Sequence, residues 1–285
     1  MTGEGRRMLE GFCEYLRRQG KSENTVKAYC QGMKEYMRWH EETFGKRMKM
    51  FLRANVLDYI SYLRTVKGLS NRSVNAKLAS LHSFNLYLIA AGYTKEVVLD
   101  KQDYLKVQLA YASPSTVSRE EVERFRQEIL ERSGVRDYAI VTILAYAGLR
   151  ISECLALRVE DISLPAREIK VRHGKGDKMR VVYFGDKVVN AVREYLRNRP
   201  KTENPYLFPG RGDSHLTRSQ VNRIFNEYSE SITPHTLRHF FCSNALENGY
   251  TIADLANQAG HSNVHTTLLY TNPTREKMKE KANRL

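Results

Sequence analysis

The chain has 285 residues, of which 41% are hydrophobic and 27% are charged, a composition typical of a folded protein with one or two domains. Lysine and arginine outnumber aspartate and glutamate by 46 to 32, so the net charge is +14 and the isoelectric point is near 9.6. No apolar run approaches the ~20 residues that a membrane span requires, and residues 1–11 lack the apolar core of a secretory signal, so we expect a cytoplasmic protein without a membrane partner.

Both halves of the chain share the basic excess. Residues 1–112 contain 19 basic and 11 acidic residues, a balance of +8, and residues 113–285 contain 27 and 21, a balance of +6. This distribution suits a protein that grips nucleic acid from two sides. A merely solvated basic surface explains the charge about equally well, so charge alone does not decide between the two interpretations.

The first half of the chain is predicted to form a bundle of four helices. Apolar residues recur at helical spacing in four segments, at residues 6–19, 25–40, 56–64 and 72–92. Ser22 and Ser70 are placed to cap the second and fourth helices, and Gly92 is placed to end the last one.

Basic side chains mark a possible DNA-binding face on this bundle. They lie opposite the apolar stripe of the second helix and near the start of the fourth. The residues that we expect to contact DNA are Lys27, Lys34, Arg38, Arg72 and Lys77. Such contacts to phosphate position a protein on DNA but carry no sequence information.

A polar, proline-containing segment at residues 113–116 interrupts the helical pattern. Ser118 and Glu121 follow it with the spacing of a capping box, which predicts that a new helix begins there. We therefore predict two domains, residues 1–112 and residues 113–285.

The second half is predicted to be helical with one small β insertion, so the fold class is mainly α. Residues 167–173 and 179–184 flank a glycine-containing turn and predict a β-hairpin. Thr233 and Pro234 are placed to begin one helix, and Thr251 and Gly260 are placed to begin and end another. The helix that begins at Pro234 is predicted to extend to residue 249. Further helices are predicted at residues 138–149, 186–198 and 217–229, with a short helix and a charged tail after residue 264.

The four cysteines are scattered, with no CxxC pair, so we expect neither a metal site nor a disulfide framework. Cys30 and Cys154 lie on apolar helix faces and are predicted to be buried thiols. We also expect no cofactor.

Arg150 and Glu153 lie in the segment AGLRISE, after an apolar helix. A guanidinium group can hold two phosphate oxygens at once, which lysine cannot reproduce. The alternative is a structural ion pair with Glu153. The two interpretations are compatible, because a carboxylate behind the arginine would orient a phosphate clamp.

His235 and Arg238 lie in the segment HTLRHFF with a spacing of three residues, so both side chains project from one face of a first helical turn. The free N–H groups and the dipole of such a turn favour an anion. We expect His239, about a hundred degrees round the helix, to pack or cap.

Lys175 is predicted to lie at the hairpin tip between two glycines, where a mobile ammonium group could reach a DNA groove. Turn lysines are usually only solvated, and Lys178 and Arg180 compete for the same role. His261 follows Gly260, and Tyr270 lies nine residues later in LLYT. A tyrosine in that context is most often a core residue, but Tyr270 precedes a proline and a tail that could be exchanged.

Together these residues could cut a phosphodiester bond without a metal. Such a bond is so stable in water that ~15 kcal/mol or more of barrier must be removed. Tyr270 would attack the phosphorus and form a covalent phosphotyrosyl link. Donors on the non-bridging oxygens would neutralise the transition state, Lys175 would protonate the departing 5′-oxygen, and His235 would help remove the tyrosine proton. The donors are Arg150, Arg238, His235 and His261.

The segments AGLRISE, HTLRHFF, and GHS followed by TTLLYT resemble the three signature boxes of the tyrosine recombinase (phage integrase) family, and HGKGDKMR resembles its hairpin lysine. The match covers about residues 118–275, and the first half resembles the family's four-helix DNA-binding module. The resemblance implies a C-shaped clamp around duplex DNA, a 3′-phosphotyrosine with a free 5′-hydroxyl, and strand exchange through a Holliday junction. Arg150, Lys175, His235, Arg238, His261 and Tyr270 would be catalytic, with Glu153 in support.

The resemblance also implies partners. Double-stranded DNA with inverted half-sites would bind a homodimer at each core site and a homotetramer in the synapse, with the tail at about residues 272–285 docking on a neighbouring protomer. We expect a compact, nucleoid-associated resolvase of transposon cointegrates or replicon dimers. An integrase-excisionase of a mobile element, a type IB topoisomerase or telomere resolvase, and a non-catalytic DNA-binding accessory protein remain as alternatives.

Overall fold

The computed structural model describes residues 3–107, 117–172, 179–260 and Asn283. The chain divides into two compact units, Met1–Leu109 and Ala110–Leu285. The predicted domain boundary, hairpin tip and short helix with Tyr270, together with most of the tail, lie outside the described residues. No described helix is both long enough and apolar enough to cross a membrane.

The first unit is a bundle of four helices, which confirms the predicted fold of this half. The helices are α1 (Gly3–Arg18), α2 (Glu23–Phe44), α3 (Arg53–Thr65) and α4 (Asn71–Ala90). Ser22 and Ser70 cap α2 and α4 as predicted, each accepting a hydrogen bond from the backbone N–H three residues on. Gly92 adopts a positive φ of 74° just after α4, where a left-handed residue ends the helix.

Helices α2 and α4 approach each other closely in the first unit. At Gly32 an added Cβ would lie 2.4 Å from the hydroxyl oxygen of Ser80, so only glycine permits this crossing. Around it, aromatic side chains form much of the core: Phe12, Tyr36, Trp39, Phe51, Tyr59 and Phe84. This packing fixes the orientation of the basic face of α2.

The expectation that the cysteines form no disulfide framework is wrong for one pair, and so is the expectation that Cys30 is a buried thiol. Cys30 is not a free thiol, because it is bonded to Cys13 across α1 and α2 with their Cα atoms 6.1 Å apart. The 17-residue separation gives no motif, and the pairing depends on the antiparallel packing of two helices, which the spacing of cysteines does not reveal. Cys154 is the buried free thiol that was predicted.

The second unit is mostly helical around one small sheet. Its helices are α5 (Arg119–Arg132), α6 (Val135–Tyr146), α7 (Ile151–Leu155), α8 (Asp186–Asn198), α9 (Arg218–Tyr228), α10 (Pro234–Glu247) and α11 (Ile252–Ala259). The predicted caps at Ser118, Thr233 and Thr251 are present, and Gly260 ends α11 in the left-handed conformation. The core lies between α5, α6, α8 and α10 and one face of the sheet.

The sheet has three antiparallel strands, β1 (Ile162–Ser163), β2 (Glu168–Val171) and β3 (Arg180–Tyr183), in that spatial order. Strands β2 and β3 form the predicted hairpin, with Lys170 opposite Val181. The two-residue strand β1 was not predicted, since it is too short for any alternation of apolar and polar residues to show. The fold is thus mainly α with a small β insertion, as expected.

Candidate active site

The predicted site residues fall into two groups. Arg150, Glu153, His235 and Arg238 lie within the described part of the second unit. Lys175, His261 and Tyr270 lie outside the described residues, and so their roles stay predictions. The described residues come from two segments of the chain, and Arg150 and Arg238 both bond to the end of α11.

Arg150 is held at the start of α7 by its own neighbours. Gly148, with φ of 67°, turns the chain after α6 and leaves Arg150 as the N-cap of α7. Its backbone N–H donates to Glu153 Oε2 at 2.8 Å, and its Nη1 donates to Glu153 Oε1 at 2.7 Å. Nη2 donates to the carbonyl oxygen of Gly260 at 2.7 Å. The predicted pairing of Arg150 with Glu153 is therefore present, and 29% of the Arg150 side chain remains exposed.

Arg180 is a second guanidinium partner of Glu153, a role that the sequence analysis missed. Its Nη1 and Nη2 donate to the two carboxylate oxygens at 2.9 and 2.8 Å. Burial alone would raise the pKa of the Glu153 carboxyl, but the hydrogen bonds and charge of Arg180, followed by the hydrogen bonds of Arg150, hold that pKa below its usual value. The carboxylate is therefore ionised between two arginines.

Arg238 is the most deeply buried of the three arginines, with 7% of the residue exposed. Its Nη1 donates to the carbonyl oxygen of Gly148 at 2.6 Å, and its Nη2 donates to that of Ala259 at 2.5 Å. Burial, and after it the positive charge of Arg150, lowers the pKa of the Arg238 guanidinium to about 10. The group still carries its full charge at neutral pH.

The C-terminal end of α11 holds all three arginines. Three successive carbonyl oxygens accept their hydrogen bonds: Gln258 from Arg180, Ala259 from Arg238, and Gly260 from Arg150. The last carbonyls of a helix lack partners within the helix and form the negative end of its dipole, which attracts cations. This helix end thus orients three positive charges just before residue 261.

The side chain of Gln258 ties α11 to the edge of the sheet. Its Oε1 accepts from the backbone N–H of Tyr183 at 3.1 Å, and its Nε2 donates to the carbonyl oxygen of Tyr183 at 2.5 Å. The side chain of Gln258 therefore bonds to the backbone N–H and carbonyl groups of Tyr183, as a neighbouring strand would. The hairpin and the end of α11 are therefore linked as one structural element.

His235 and His239 interact with each other on α10. Their Nε2 atoms lie 2.9 Å apart and the two rings are nearly perpendicular, so one nitrogen donates to the other. Burial, followed by the charges of Arg238 and Arg218, lowers the pKa of the His235 imidazole below its ordinary value of 6.5. His239 therefore does more than pack or cap, since the hydrogen bond couples the tautomers of the two rings.

An open cleft lies in front of Arg150, His235 and Arg238. Its opposite wall comes from α9, whose contribution the sequence analysis did not anticipate. The α9 residues that line it are Arg218, Asn222 and Asn226. Their spacing of four residues on a helix with a capping box is the signal that could have identified them, because it puts three polar side chains on one face.

In chemical terms the cleft is built to hold an anion. Three guanidinium groups and one carboxylate give the described cluster a net charge of +2. A guanidinium group has five N–H donors, so Arg150 and Arg238, each with two side-chain bonds to carbonyl or carboxylate oxygens, retain donors for a ligand. Buried, fixed donors of this kind stabilise the negative charge that develops on a phosphate in a displacement reaction.

The residues predicted to bind DNA in the first unit differ in their surroundings. Lys27, Lys34 and Arg38 form an exposed stripe along α2, and Arg72 is exposed on the first turn of α4. Lys77 is 29% exposed and forms an ion pair with Glu35. Since that pair would have to be broken or shared, Lys77 is the least available of the five for a phosphate.

Comparisons with known proteins agree with this chemistry. Residues 115–277 match the phage integrase family, and residues 8–90 match the N-terminal SAM-like domain of phage integrases. The TnP I resolvase of Bacillus thuringiensis is 47% identical over 95% of this chain and 96% of its own length, and the tyrosine recombinase XerA of Pyrococcus furiosus is 31% identical over 97% and 93%.

The fold has counterparts among solved structures. The Tn1549 transposon integrase in complex with transposon right end DNA aligns with a TM-score of 0.71 over 97% of this chain and 98% of that chain. The sequence identity is 21%, so this match establishes a shared fold.

Proposed function

Because this chain belongs to the phage integrase family of tyrosine recombinases, we propose that it cuts and rejoins duplex DNA through a covalent link to Tyr270. The chain is a tyrosine recombinase, and DNA is its partner. The observation that carries the specific proposal is the convergence of Arg150, Arg238 and His235 on one cleft. Gly260, whose carbonyl oxygen accepts from Arg150, is followed in the chain by His261.

The proposed reaction is an in-line displacement at phosphorus. The phenolic oxygen of Tyr270 forms a bond to phosphorus while the bond from phosphorus to the 5′-oxygen breaks. His235 accepts the phenolic proton, and Lys175 gives a proton to the departing 5′-oxygen. The products are a 3′-phosphotyrosyl link and a free 5′-hydroxyl, and the reverse reaction with another 5′-hydroxyl rejoins the strand.

Electrostatic stabilisation falls to the two arginines of the cleft. Their remaining N–H donors, together with His261, would bind the non-bridging oxygens as negative charge develops there. The carbonyl oxygens and the carboxylate that hold these guanidinium groups fix them before the substrate arrives, so little reorganisation is needed during the reaction. Glu153 supports Arg150 without touching the phosphate.

Covalent capture tests this proposal. The purified chain is incubated with sheared DNA from around its own gene in EDTA and then denatured, and the attached DNA is sequenced. We expect site-specific attachment by the wild type and none by Tyr270→Phe, which should still bind the same DNA. Attachment by Tyr270→Phe would reject the nucleophile, and binding by both proteins without attachment would favour an accessory DNA-binding protein.

The assembly and biological role belong to the same proposal. Inverted half-sites would bind a homodimer, and two such sites would form a tetrameric synapse that exchanges strands through a Holliday junction, with the chain acting on DNA in the nucleoid. The 47% identity to the TnP I resolvase supports resolution of cointegrates or replicon dimers. A supercoiled plasmid with two captured sites in direct repeat should give two separate circles. Efficient joining of two separate molecules would instead indicate an integrase.

A further inference from the structure

Arg180 has the bonds of a component of the site although the reaction above gives it no role. Its guanidinium group makes three hydrogen bonds, two to the carboxylate of Glu153 and one from Nε to the carbonyl oxygen of Gln258 at 3.2 Å. Only 13% of the side chain is exposed, compared with 29% for Arg150. A cation with this burial and these bonds is held in one orientation.

Arg180 and Arg150 each bond to both carboxylate oxygens of Glu153. Arg180 does so with its side chain alone, whereas Arg150 reaches Oε1 with its side chain and Oε2 with its backbone N–H. Oε1 is therefore shared by the two guanidinium groups, and the bidentate Arg180 helps to fix its position. Any displacement of Glu153 would move Arg150 with it.

Arg180 also contacts the other anchor of Arg150. A Cβ added to Gly260 would lie 2.8 Å from Cζ of Arg180, so the guanidinium group packs directly on this glycine. The carbonyl oxygen of the same glycine accepts from Arg150. Arg180 thus touches both groups that bind the Arg150 side chain, and it is not one of the described residues that line the cleft.

We propose that Arg180 is a positioning residue that orients Arg150 through Glu153 and Gly260. This inference rests on the proposed function of Arg150 as a phosphate ligand. The guanidinium group of Arg180 orients the carboxylate of Glu153. That carboxylate and the carbonyl oxygen of Gly260 orient the guanidinium group of Arg150, which binds the phosphate. Partners that orient metal ligands typically contribute about 10- to 100-fold to affinity or activity, and we expect an effect of the same order for a partner that orients a phosphate ligand.

Three variants test the role of the Arg180 guanidinium group. Arg180→Lys keeps the positive charge but replaces two parallel bonds with one point contact, and Arg180→Gln removes the charge. Arg172→Gln is the matched control, because Arg172 follows β2 on the other leg of the hairpin and binds Asp161 and Glu160 in a similar way. We expect Arg180→Lys and Arg180→Gln to slow single-turnover cleavage by about 10- to 100-fold while DNA affinity changes by less than about twofold. Arg172→Gln should cleave within about twofold of the wild type.

A double-variant cycle separates positioning from a general loss of structure. If Arg180 acts through Glu153, then Arg180→Gln combined with Glu153→Gln should cleave no more slowly than the slower single variant. Multiplied defects would overturn the inference, and so would a wild-type rate in Arg180→Lys. Thermal unfolding of each variant is measured alongside, and Arg180→Lys, which retains a cation beside Glu153, keeps the test decisive where Arg180→Gln does not fold.

The leaving group offers a further distinction, because Arg180 also lies five residues after Lys175. A substrate with sulfur in place of the bridging 5′-oxygen releases a thiolate that needs no proton donor. On this substrate the cleavage defect of Arg150→Lys should persist. If the defect of Arg180→Lys persists as well, Arg180 acts through Arg150. Full recovery of the cleavage rate in Arg180→Lys would assign its effect to Lys175 and overturn the inference. A wild-type rate in Arg150→Lys would instead contradict the proposed function of the site itself.

Discussion

At the scale of single residues, the two arginines of the cleft are held differently. Arg150 is partly exposed and bonded to a carboxylate, whereas Arg238 is 7% exposed and bonded to two carbonyl oxygens. Removing a charge from water costs free energy that neutral carbonyl groups offset only in part, and this explains why the pKa of Arg238 falls to about 10. Such a buried, constrained cation is typical of a site where function outweighs stability.

Arg238→Lys should therefore abolish most cleavage while leaving DNA binding largely intact. Lysine keeps the charge but cannot donate to Gly148, to Ala259 and to a phosphate in the same fixed geometry. Loss of one fixed donor to a transition-state oxyanion typically lowers the rate by about 10²- to 10³-fold. Single-turnover cleavage under saturating protein measures this. A decrease of less than about tenfold would show that charge alone is what the site requires.

The lowered pKa of His235 predicts how the cleavage rate depends on pH below neutrality. Its pKa lies below 6.5, so the ring is neutral at pH 7, and as the pH falls through the lowered pKa the ring becomes protonated and can no longer accept the Tyr270 proton. Cleavage should therefore be constant near neutrality and decline below pH 6.5. The groups facing the ring are Arg238, Arg218 and the His239 nitrogen.

Arg218→Gln provides the control for that assignment. It removes one of the two positive charges that depress the pKa of His235, so the acid limb should move to higher pH. Initial rates at saturating DNA across pH 5–8 compare the two proteins. An acid limb that stays in place would mean that another group controls it.

The site residues that could be predicted from the sequence depend on nearby residues in the chain, whereas Arg180, which was not predicted, depends on distant ones. Arg150, His235 and Arg238 stand in local patterns whose chemistry can be reasoned out from neighbours. Arg180 acquires its role only through partners 27 and 78 residues away in the chain. One signal was present: Arg180 shares the inward face of β3 with the fully buried Val182, and a cation on a buried strand face requires a partner.

At the scale of secondary structure, the chain from α6 to α7 depends on a single glycine. Gly148 has a positive φ of 67°, and an added Cβ would lie 2.2 Å from Cδ1 of Phe241 on α10. The carbonyl oxygen of Gly148 accepts a hydrogen bond from Arg238, and Arg150 lies two residues further along the chain. The close approach of α6 and α10 therefore places both arginines.

Gly148→Ala should destabilise the protein and slow cleavage together. The left-handed backbone costs ~1–2 kcal/mol for a residue with a Cβ, and the clash with a buried ring adds ~1–3 kcal/mol. Gly212→Ala is the matched control, since φ is 58° there and no atom lies within 4 Å of the new Cβ. It should lose only the backbone contribution and keep its cleavage rate. Denaturant unfolding and single-turnover cleavage of both variants check this, and equal losses of stability would show that the contact with Phe241 relaxes freely.

Helix ends were the elements that the sequence predicted best, for a local reason. Ser22, Ser118, Thr233 and Thr251 each bond to a backbone group three residues away, so the whole interaction lies within one short segment. The strand β1 and the Cys13–Cys30 bond depend on partners brought close by the fold. No local pattern contains that information.

At the scale of the whole molecule, each unit has an identifiable group of residues that contributes to the net positive charge. The candidate site supplies positive charge in the second unit, and the exposed stripe on α2 with Arg72 supplies it in the first. Neutralised phosphates release bound counterions, so the salt dependence of affinity counts the contacts. This allows the predicted DNA-binding residues to be tested independently of the chemistry.

A fourfold glutamine variant of Lys27, Lys34, Arg38 and Arg72 should show a shallower salt dependence. The slope of log affinity against log salt falls by about 0.9 for each lost phosphate contact, and so by about 3.6 for four. Cleavage at saturating DNA should keep its rate, because the side chains of the cleft come from the second unit. Binding to the DNA found by covalent capture is measured at about 50 to 300 mM salt. This range is wide enough to determine the slope.

The control must remove the same net charge from surfaces that are not expected to face DNA. Glutamine at four arginines already paired with carboxylates meets that requirement: Arg18, Arg132, Arg167 and Arg197. Both variants have a net charge of +10 instead of +14, so an effect of overall charge would lower the two slopes equally. Only local contacts to phosphate would lower the slope of the first variant alone. Because Lys77 is paired with Glu35, adding Lys77→Gln to the first variant should lower the slope no further, and a further decrease would mean that this ion pair opens on DNA.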